Sequence, residues 1–211
     1  MNYLYAANNF FMKTVFFAGI FLLLLSCGSS ADKHPRKVEN SPVSSAVPLA
    51  QQSVSDQRLT KIIDDYFNLK NALTDADTSA VQAAAIKLLA AIDTARIDSV
   101  DAAPEIDDPA AKFESNIIAE TKGLIGETDI TEQRRSFSMI SENLKSLLEI
   151  VQYKGQDLYE QTCPMAFNET ETASWLSNST EIVNPYLGKK HPKYKAGMLH
   201  CGELTDTLSF K

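Results

Sequence analysis

The sequence lacks the segments that are typical of the common enzyme and nucleic-acid-binding classes. It has no glycine-rich phosphate-binding loop, no G-x-S-x-G segment and no H-E-x-x-H segment. Basic residues number only 20 against 27 acidic ones, which gives a net charge of −7. Nucleic-acid binding needs a basic face that neutralises phosphates. We therefore expect a protein that is not an enzyme and that binds no nucleic acid.

Cysteines and long apolar runs are also scarce. Three cysteines are too few for a disulfide-dense miniprotein, and a chain of 211 residues with 44% hydrophobic side chains can form a core without such bonds. The most apolar run, residues 15–25, is too short to cross a bilayer core of about 30 Å. The composition is that of a globular protein.

The run from Val15 to Leu25 has the layout of a signal peptide, with Lys13 before it and small residues after it. Its end, Leu24-Leu25-Ser26-Cys27-Gly28, resembles the bacterial lipobox, in which the cysteine is lipidated and becomes the mature N-terminus. We expect removal of residues 1–26 and a lipid anchor on Cys27. The protein would then lie on the periplasmic side of the bacterial envelope, at the outer membrane. An ordinary secretory signal is the alternative.

The mature chain divides into a tether and one folded domain. Residues 27–55 are rich in Ser, Pro, Ala, Gln and Val without an apolar period, which predicts a flexible tether. Residues 56–211 are predicted to form the domain, and helical periodicity repeats four times over about 57–154. Short connections favour antiparallel neighbours, so we predict a mainly α fold built on an up-down four-helix bundle. The apolar stripes are Leu59, Ile62, Ile63, Tyr66, Phe67 and Leu73; Val81, Ala84, Ala85, Leu88, Leu89 and Ile92; Phe113, Ile117, Thr121 and Leu124; and Phe137, Ile140, Leu144, Leu147, Leu148 and Val151.

Polar residues mark where the later helices begin. Asp77 or Ser79 can cap the second helix, and Asp108 followed by proline can cap the third. Asp129 with Glu132 three residues later predicts a capping box at the start of the fourth helix.

The residues from about 156 to 211 differ in character, because proline, glycine and asparagine become frequent. Here we predict a small irregular or β segment, with short strands over 158–162 and 204–210 that pair as a hairpin-like closure. Trp175, the only tryptophan, is predicted to be a packing anchor beneath a loop, with ligand stacking as the alternative.

Two short motifs in this segment each combine a thiol with a thioether. Cys163 and Met165 flank a proline, so an extended backbone puts both sulfurs on one side. Met198 and Cys201 are three residues apart, a spacing that suits a turn. Thiolates and thioethers are soft donors that select Cu(I) or similar ions. His200, with His191 nearby in sequence, adds nitrogen donors.

Three interpretations of these residues remain open. A disulfide between Cys163 and Cys201 is natural in an oxidising envelope and would close a loop of about 39 residues, worth roughly 3–4 kcal/mol. A soft-metal site would use one or both Cys–Met pairs. A zinc site would need four ligands, which Cys163, Cys201, His200 and His191 could supply.

At these residues the chain resembles bacterial envelope lipoproteins of the domain of unknown function 3347 type. Similar domains occur at the C-terminal end of periplasmic adaptor subunits of copper/silver efflux systems. The resemblance covers about residues 60–208, and in some members the insertion Lys189–Gly197, which brings His191, is missing. It rests on Cys163-Pro164-Met165-Ala166-Phe167, Trp175-Leu176-Ser177-Asn178, Ile182-x-Asn184-Pro185-Tyr186-x-Gly188, Met198-Leu199-x-Cys201-Gly202, Tyr66-Phe67-x-Leu69-Lys70-x-Ala72-Leu73 and Arg134-x-Ser136-Phe137-x-x-Ile140-Ser141.

The resemblance implies a heavy-metal context, with an efflux adaptor as the partner. We therefore expect a membrane-tethered lipoprotein that binds Cu(I) or Ag(I) for metal homeostasis. The alternative is a non-enzymatic protein-interaction module held by a Cys163–Cys201 disulfide. The expected metal ligands, in order of preference, are Cys163, Cys201, Met165, Met198, His200 and His191.

Overall fold

The computed structural model describes residues 49–95 and 108–210, so the predicted signal peptide, Cys27 and most of the predicted tether lie outside the described residues. Within the described residues, no helix combines the length and the apolar character needed to cross a membrane. The elements are helices α1 (Leu49–Asp75), α2 (Thr78–Ala95), α3 (Pro109–Gly126) and α4 (Ile130–Ile150), followed by strands β1 (Leu158–Phe167), β2 (Glu171–Ser177) and β3 (Glu203–Leu208).

The four helices bury the predicted apolar stripes, which confirms the mainly α class. Helices that follow one another in the chain pack together, whereas α1 and α4 touch each other only slightly. Every position of the four stripes is buried except Leu89, Phe113 and Val151, which are half-buried. The 3.6-residue period thus identified the core faces of all four helices.

Helix α1 begins earlier than its sequence pattern predicts. Its first residue is Leu49, so the stretch 49–55 that we assigned to the tether is helical. The reason is local, because these seven residues contain neither proline nor glycine and nothing in them stops a helix from extending.

The predicted N-caps of the later helices are confirmed. The carboxylates of Asp77, Asp108 and Asp129 each accept a backbone N–H from the first turn of the helix that follows. The second half of the capping box is wrong. The N–H of Asp129 donates to the carboxylate of Glu127 at 2.8 Å, so Glu132 is not its partner.

The three strands form an antiparallel sheet in the order β2-β1-β3. The two predicted strands correspond to β1 and β3, and they pair as expected. Strand β2 was missed, and Trp175 therefore lies in a strand and not beneath a loop. A tight turn links β1 to β2, with φ of 51° at Asn168 and 63° at Glu169. Hairpin turns with two positive φ values usually carry glycine, and its absence here hid this turn in the sequence.

A chain of aromatic rings joins the helices to the sheet. Tyr66 on α1 stacks on Phe137 of α4 at 5.0 Å between ring centroids. Phe137 also contacts Tyr186, and Tyr186 meets the edge of Trp175 at 5.8 Å. All four side chains are fully buried or nearly so. The packing role predicted for Trp175 is confirmed, and one core runs through the helices and the sheet.

Candidate functional site

The structure brings Cys163 and Cys201 together. Their Sγ atoms lie 2.9 Å apart although the residues are 38 positions apart in the chain. Both are free thiols. The separation exceeds the S–S bond length of about 2.05 Å, so the two sulfurs are in close contact without a bond between them in this structure.

The two thiols differ in their access to solvent. Cys163 is 0% exposed, whereas Cys201 is only partly buried. Burial raises the pKa of the Cys201 thiol, and the contact with Cys163 raises it further. Cys201 is therefore a protonated thiol at neutral pH, and a metal ion that binds there must displace its proton.

Cys163 is held by the central strand of the sheet. It lies opposite Ala173 on β2, and its neighbour Thr162 pairs with Glu203 on β3. The register between β1 and β2 is interrupted just after Cys163, where Pro164 has no N–H to give to the ladder. The Cys163-Pro164-Met165 motif thus begins in the regular part of the sheet and continues into the irregular part of β1.

Asn184 holds Cys201 in place. Its side-chain amide donates to the carbonyl oxygen of Cys201 at 2.7 Å, and its backbone N–H donates to the carbonyl of Leu199 at 2.8 Å. The Oδ1 atom of this buried asparagine accepts the N–H groups of Tyr186 and Leu187. One side chain therefore fixes the turn at 184–187 and the turn that carries Cys201. Asn184 belongs to the motif over residues 182–188, and the sequence alone predicts no role for it.

Gly202 permits the close approach of the Cys201 turn to β1. Its φ is +140°, and a Cβ at this position would lie 2.9 Å from the carbonyl oxygen of Thr162 and 3.0 Å from the ring of Trp175. Any side chain here would push the turn away from the sheet, and with it the Cys201 thiol.

The two methionines lie at the edge of the core and not in solvent. Met165 belongs to β1, two residues after Cys163, and is half-buried. Met198 is also half-buried, and its carbonyl accepts the N–H of Cys201 at 3.0 Å, which forms the turn expected from their spacing. Each thioether is thus close in the chain to one of the converging thiols.

The histidines do not join the dithiol in this arrangement. The exposed His200 places Nδ1 2.7 Å from the carbonyl of Ile182, so Nδ1 carries the proton in that contact. His191 stacks on Tyr194, its Nδ1 accepts two backbone N–H groups, and burial lowers its pKa. Across residues 49–95 and 108–210, no group of three or more His, Cys, Asp or Glu side chains is placed to hold a metal ion. The four-ligand zinc set is therefore not assembled.

Arg134 organises the neighbouring loop, a role that was not predicted from the sequence. Its buried guanidinium donates to the carbonyls of Leu73, at the end of α1, and Pro185, at 3.0 and 2.9 Å. Burial lowers its pKa to about 10, so it remains charged at neutral pH. Gly188 has φ +58°, and a Cβ there would lie 2.7 Å from this guanidinium. The sequence held one sign of this role, because Arg134 lies three residues before Phe137 and therefore on the apolar stripe of α4.

These features define a mainly helical domain with a small antiparallel sheet that carries a convergent pair of thiols. Residues 62–156 match the model of a family described as a protein of unknown function (DUF3347), and this match supports the family suggested by the motifs. The matched segment runs from α1 to just before β1, so both thiols lie beyond it. No curated protein and no solved structure matches the chain.

Proposed function

We propose that the protein is a non-enzymatic envelope protein that binds Cu(I) or Ag(I) as cargo at Cys163 and Cys201. It would buffer the ion or pass it to a heavy-metal efflux adaptor. The observation that carries the proposal is the convergence of the two thiols, because soft monovalent ions prefer sulfur ligands. Met165 and Met198 supply the neighbouring thioethers.

The number of donors favours an ion of low coordination number. The site offers two thiols and adjacent thioethers, and the histidines have backbone partners of their own. Structural zinc takes four nitrogen or sulfur ligands in a tetrahedron. Cu(I) and Ag(I) are satisfied by fewer sulfurs, so the donor set suits them better than it suits zinc.

Binding requires the sulfurs to separate. With metal–sulfur bonds close to the zinc–thiolate length of about 2.3 Å, a linear arrangement would place the two Sγ atoms about 4.6 Å apart. They lie 2.9 Å apart in the free protein. Cys163 is fixed in the central strand, so we expect Cys201, on its partly exposed turn, to move outward when the ion binds.

The second candidate is a protein-interaction module in which the cysteines form a structural disulfide. The same 2.9 Å contact favours it, because a shift of about 0.9 Å would bring the sulfurs to bonding distance. In this case the methionines are ordinary core residues, and the reduced protein binds no soft ion.

The proposed setting includes a lipid anchor on Cys27, a tether and attachment on the periplasmic side of the outer membrane. The lipobox-like sequence around Cys27 supports the anchor. We also propose that the four helices run up and down in an antiparallel bundle, which the contacts between consecutive helices support.

Anaerobic titration of the reduced protein tests the metal proposal. The Cys27→Ser variant is the background, so that the only thiols are Cys163 and Cys201. We expect one Cu(I) or Ag(I) per chain, with both thiols protected from alkylation in the bound form and no comparable binding of Zn(II). Native protein without free thiols that binds no Cu(I) after reduction would contradict the proposal and favour the disulfide module.

A further inference from the structure

We propose that Cys163 and Cys201 are a reversible dithiol–disulfide pair in which Cys201 exchanges with an external disulfide and Cys163 completes the internal bond. A second part rests on the proposed function: formation of the internal disulfide closes the metal site.

The difference in exposure assigns the two roles. Cys201 lies on a surface turn and is partly exposed, whereas Cys163 is 0% exposed on the central strand. An external disulfide can therefore contact the Cys201 sulfur, while the fold shields Cys163. Thiol–disulfide exchange requires that the attacking sulfur reach the disulfide, so we expect the first bond to form at Cys201 once its thiol has lost its proton. The raised pKa of this thiol slows the step but does not change which sulfur is accessible.

The contact between the thiols provides the second step. A mixed disulfide at Cys201 holds its sulfur next to Cys163 Sγ, which lies 2.9 Å away in the reduced protein. Two groups held at this distance react as an intramolecular pair with a high effective concentration. We expect the mixed disulfide to be short-lived whenever Cys163 is present.

The backbone around Cys201 is fixed by bonds that do not involve sulfur. Asn184 donates to the carbonyls of Cys201 and Leu199. Directly after Cys201 and Gly202, strand β3 begins with Glu203 paired to Thr162. The chain therefore keeps its path when the sulfurs are reduced, and the internal disulfide can form and break without refolding of the sheet.

A low-molecular-weight disulfide such as oxidised glutathione can act as the oxidant in this exchange. The Cys201 thiol loses its proton and its sulfur attacks one glutathione sulfur, which forms a mixed disulfide and releases glutathione thiolate. The Cys163 thiol then loses its proton and attacks Cys201 Sγ, which releases the second glutathione thiolate. The two protons lost by the protein end on the two glutathiones. The protein dithiol is oxidised by two electrons and one glutathione disulfide is reduced.

This chemistry would regulate the metal site. The soft ion is bound by thiolates. When Cys163 and Cys201 form the internal disulfide, neither sulfur is a thiolate. Oxidised protein should not bind Ag(I), and bound Ag(I) should protect the pair from exchange. The site would therefore hold its cargo only while the pair is reduced.

The test uses the full chain in the Cys27→Ser background with oxidised glutathione, with alkylation and mass spectrometry to trap each species. The protein that keeps both Cys163 and Cys201 should form the internal disulfide and release two reduced glutathiones per chain. Cys163→Ser and Cys163→Ala should accumulate glutathione on Cys201. In Cys201→Ser, Cys163 should react with oxidised glutathione at least tenfold more slowly than Cys201 does in the Cys163 variants. Fluorescence of Trp175, the only tryptophan and 0% exposed, checks that each variant is folded.

Equal reaction rates at the two cysteines in folded variants would overturn the assignment of roles, and so would a failure to form the internal disulfide. Exchange at Cys201 in a protein whose reduced form binds no Ag(I) or Cu(I) would overturn the metal proposal and support the exchange pair. Ag(I) binding that is equal before and after oxidation would overturn the regulatory part.

Discussion

The hydroxyl oxygen of Tyr66 on α1 accepts the backbone N–H of Leu176 on β2 at 3.0 Å. The same hydroxyl lies 2.7 Å from Ser141 Oγ, and Ser141 donates its own proton to the carbonyl of Phe137. Tyr66 therefore donates to Ser141 while it accepts from Leu176. Because β2 is an outer strand, this contact gives one of its N–H groups a partner in the helical layer.

Tyr66→Phe should destabilise the protein by about 1–3 kcal/mol, because it leaves the buried N–H of Leu176 without its partner. Urea denaturation measures the loss in free energy of unfolding. Tyr159→Phe is the control, since Tyr159 is half-buried on β1 and its hydroxyl has no partner within the described residues. Similar losses in both variants would mean that the Tyr66 hydroxyl contributes nothing specific.

Leu148→Ala should cost about 2–5 kcal/mol of unfolding free energy, because Leu148 is 0% exposed in the core and its removal leaves a cavity. Glu142→Ala, on the exposed face of the same helix, should stay within about 0.5 kcal/mol. Chemical denaturation of both variants measures the difference. Equal effects would contradict the assignment of the buried face of α4.

Lys70 is a buried cation without a carboxylate partner among the described residues. Its Nζ lies 3.4 Å from Ser177 Oγ and 5.3 Å from the centre of the Phe67 ring. Burial lowers its pKa from 10.5 to about 8. Between these two values the unfolded chain binds more protons than the folded one, so this residue makes stability increase as the pH rises. Below about pH 8 the folded protein carries the full cost of the buried charge.

Lys70→Met should therefore be more stable than wild type at pH 7, by up to about 3 kcal/mol at 1.36 kcal/mol per pKa unit. The advantage should shrink towards pH 10, where wild-type Lys70 is neutral in the fold. Urea denaturation at several pH values measures the difference, with Lys87→Met, at an exposed lysine of α2, as the control. A difference between Lys70→Met and wild type that does not change with pH would contradict the prediction.

Met165→Leu and Met198→Leu should weaken Ag(I) or Cu(I) binding at least about tenfold if the thioethers are ligands, since even the loss of an outer-shell partner typically costs 10–100-fold. Stability should change by less than about 1.5 kcal/mol, because leucine roughly conserves the volume. Competition with a chelator of known affinity measures the binding. Wild-type affinity in both variants would exclude the thioethers and leave Cys163 and Cys201, with or without His200.

Cys27→Ser should release the protein from the membrane fraction and leave its fold intact, because Cys27 precedes the first described helix. Fractionation of cells in high salt measures the distribution, and circular dichroism of the released protein checks the fold. A variant that stays with the membrane at wild-type levels would contradict the lipid anchor.

The helices could be predicted from the sequence because local periodicity and capping residues specify them. The convergence of Cys163 and Cys201 could be suggested only from their residue types, since it depends on the pairing of β1 with β3 and on the hydrogen bonds of Asn184. The hydrogen bonds of one asparagine to two separate turns leave no periodic pattern in the sequence from which they could be predicted. Strand β2 was missed for a related reason, because Glu169 follows Asn168 in its turn where glycine is usual.

The side chains of Tyr66 and Arg134 belong to the segment 62–156 that matches the family, yet their partners Leu176 and Pro185 lie beyond it. A fragment cut at residue 156 would therefore expose the aromatic face of α1 and α4 and leave the guanidinium with only the carbonyl of Leu73. We expect the smallest unit able to fold to be longer than the matched segment 62–156. The helices and the strands should then act as one folding unit, and a protein that contained the helices alone should lack part of its core.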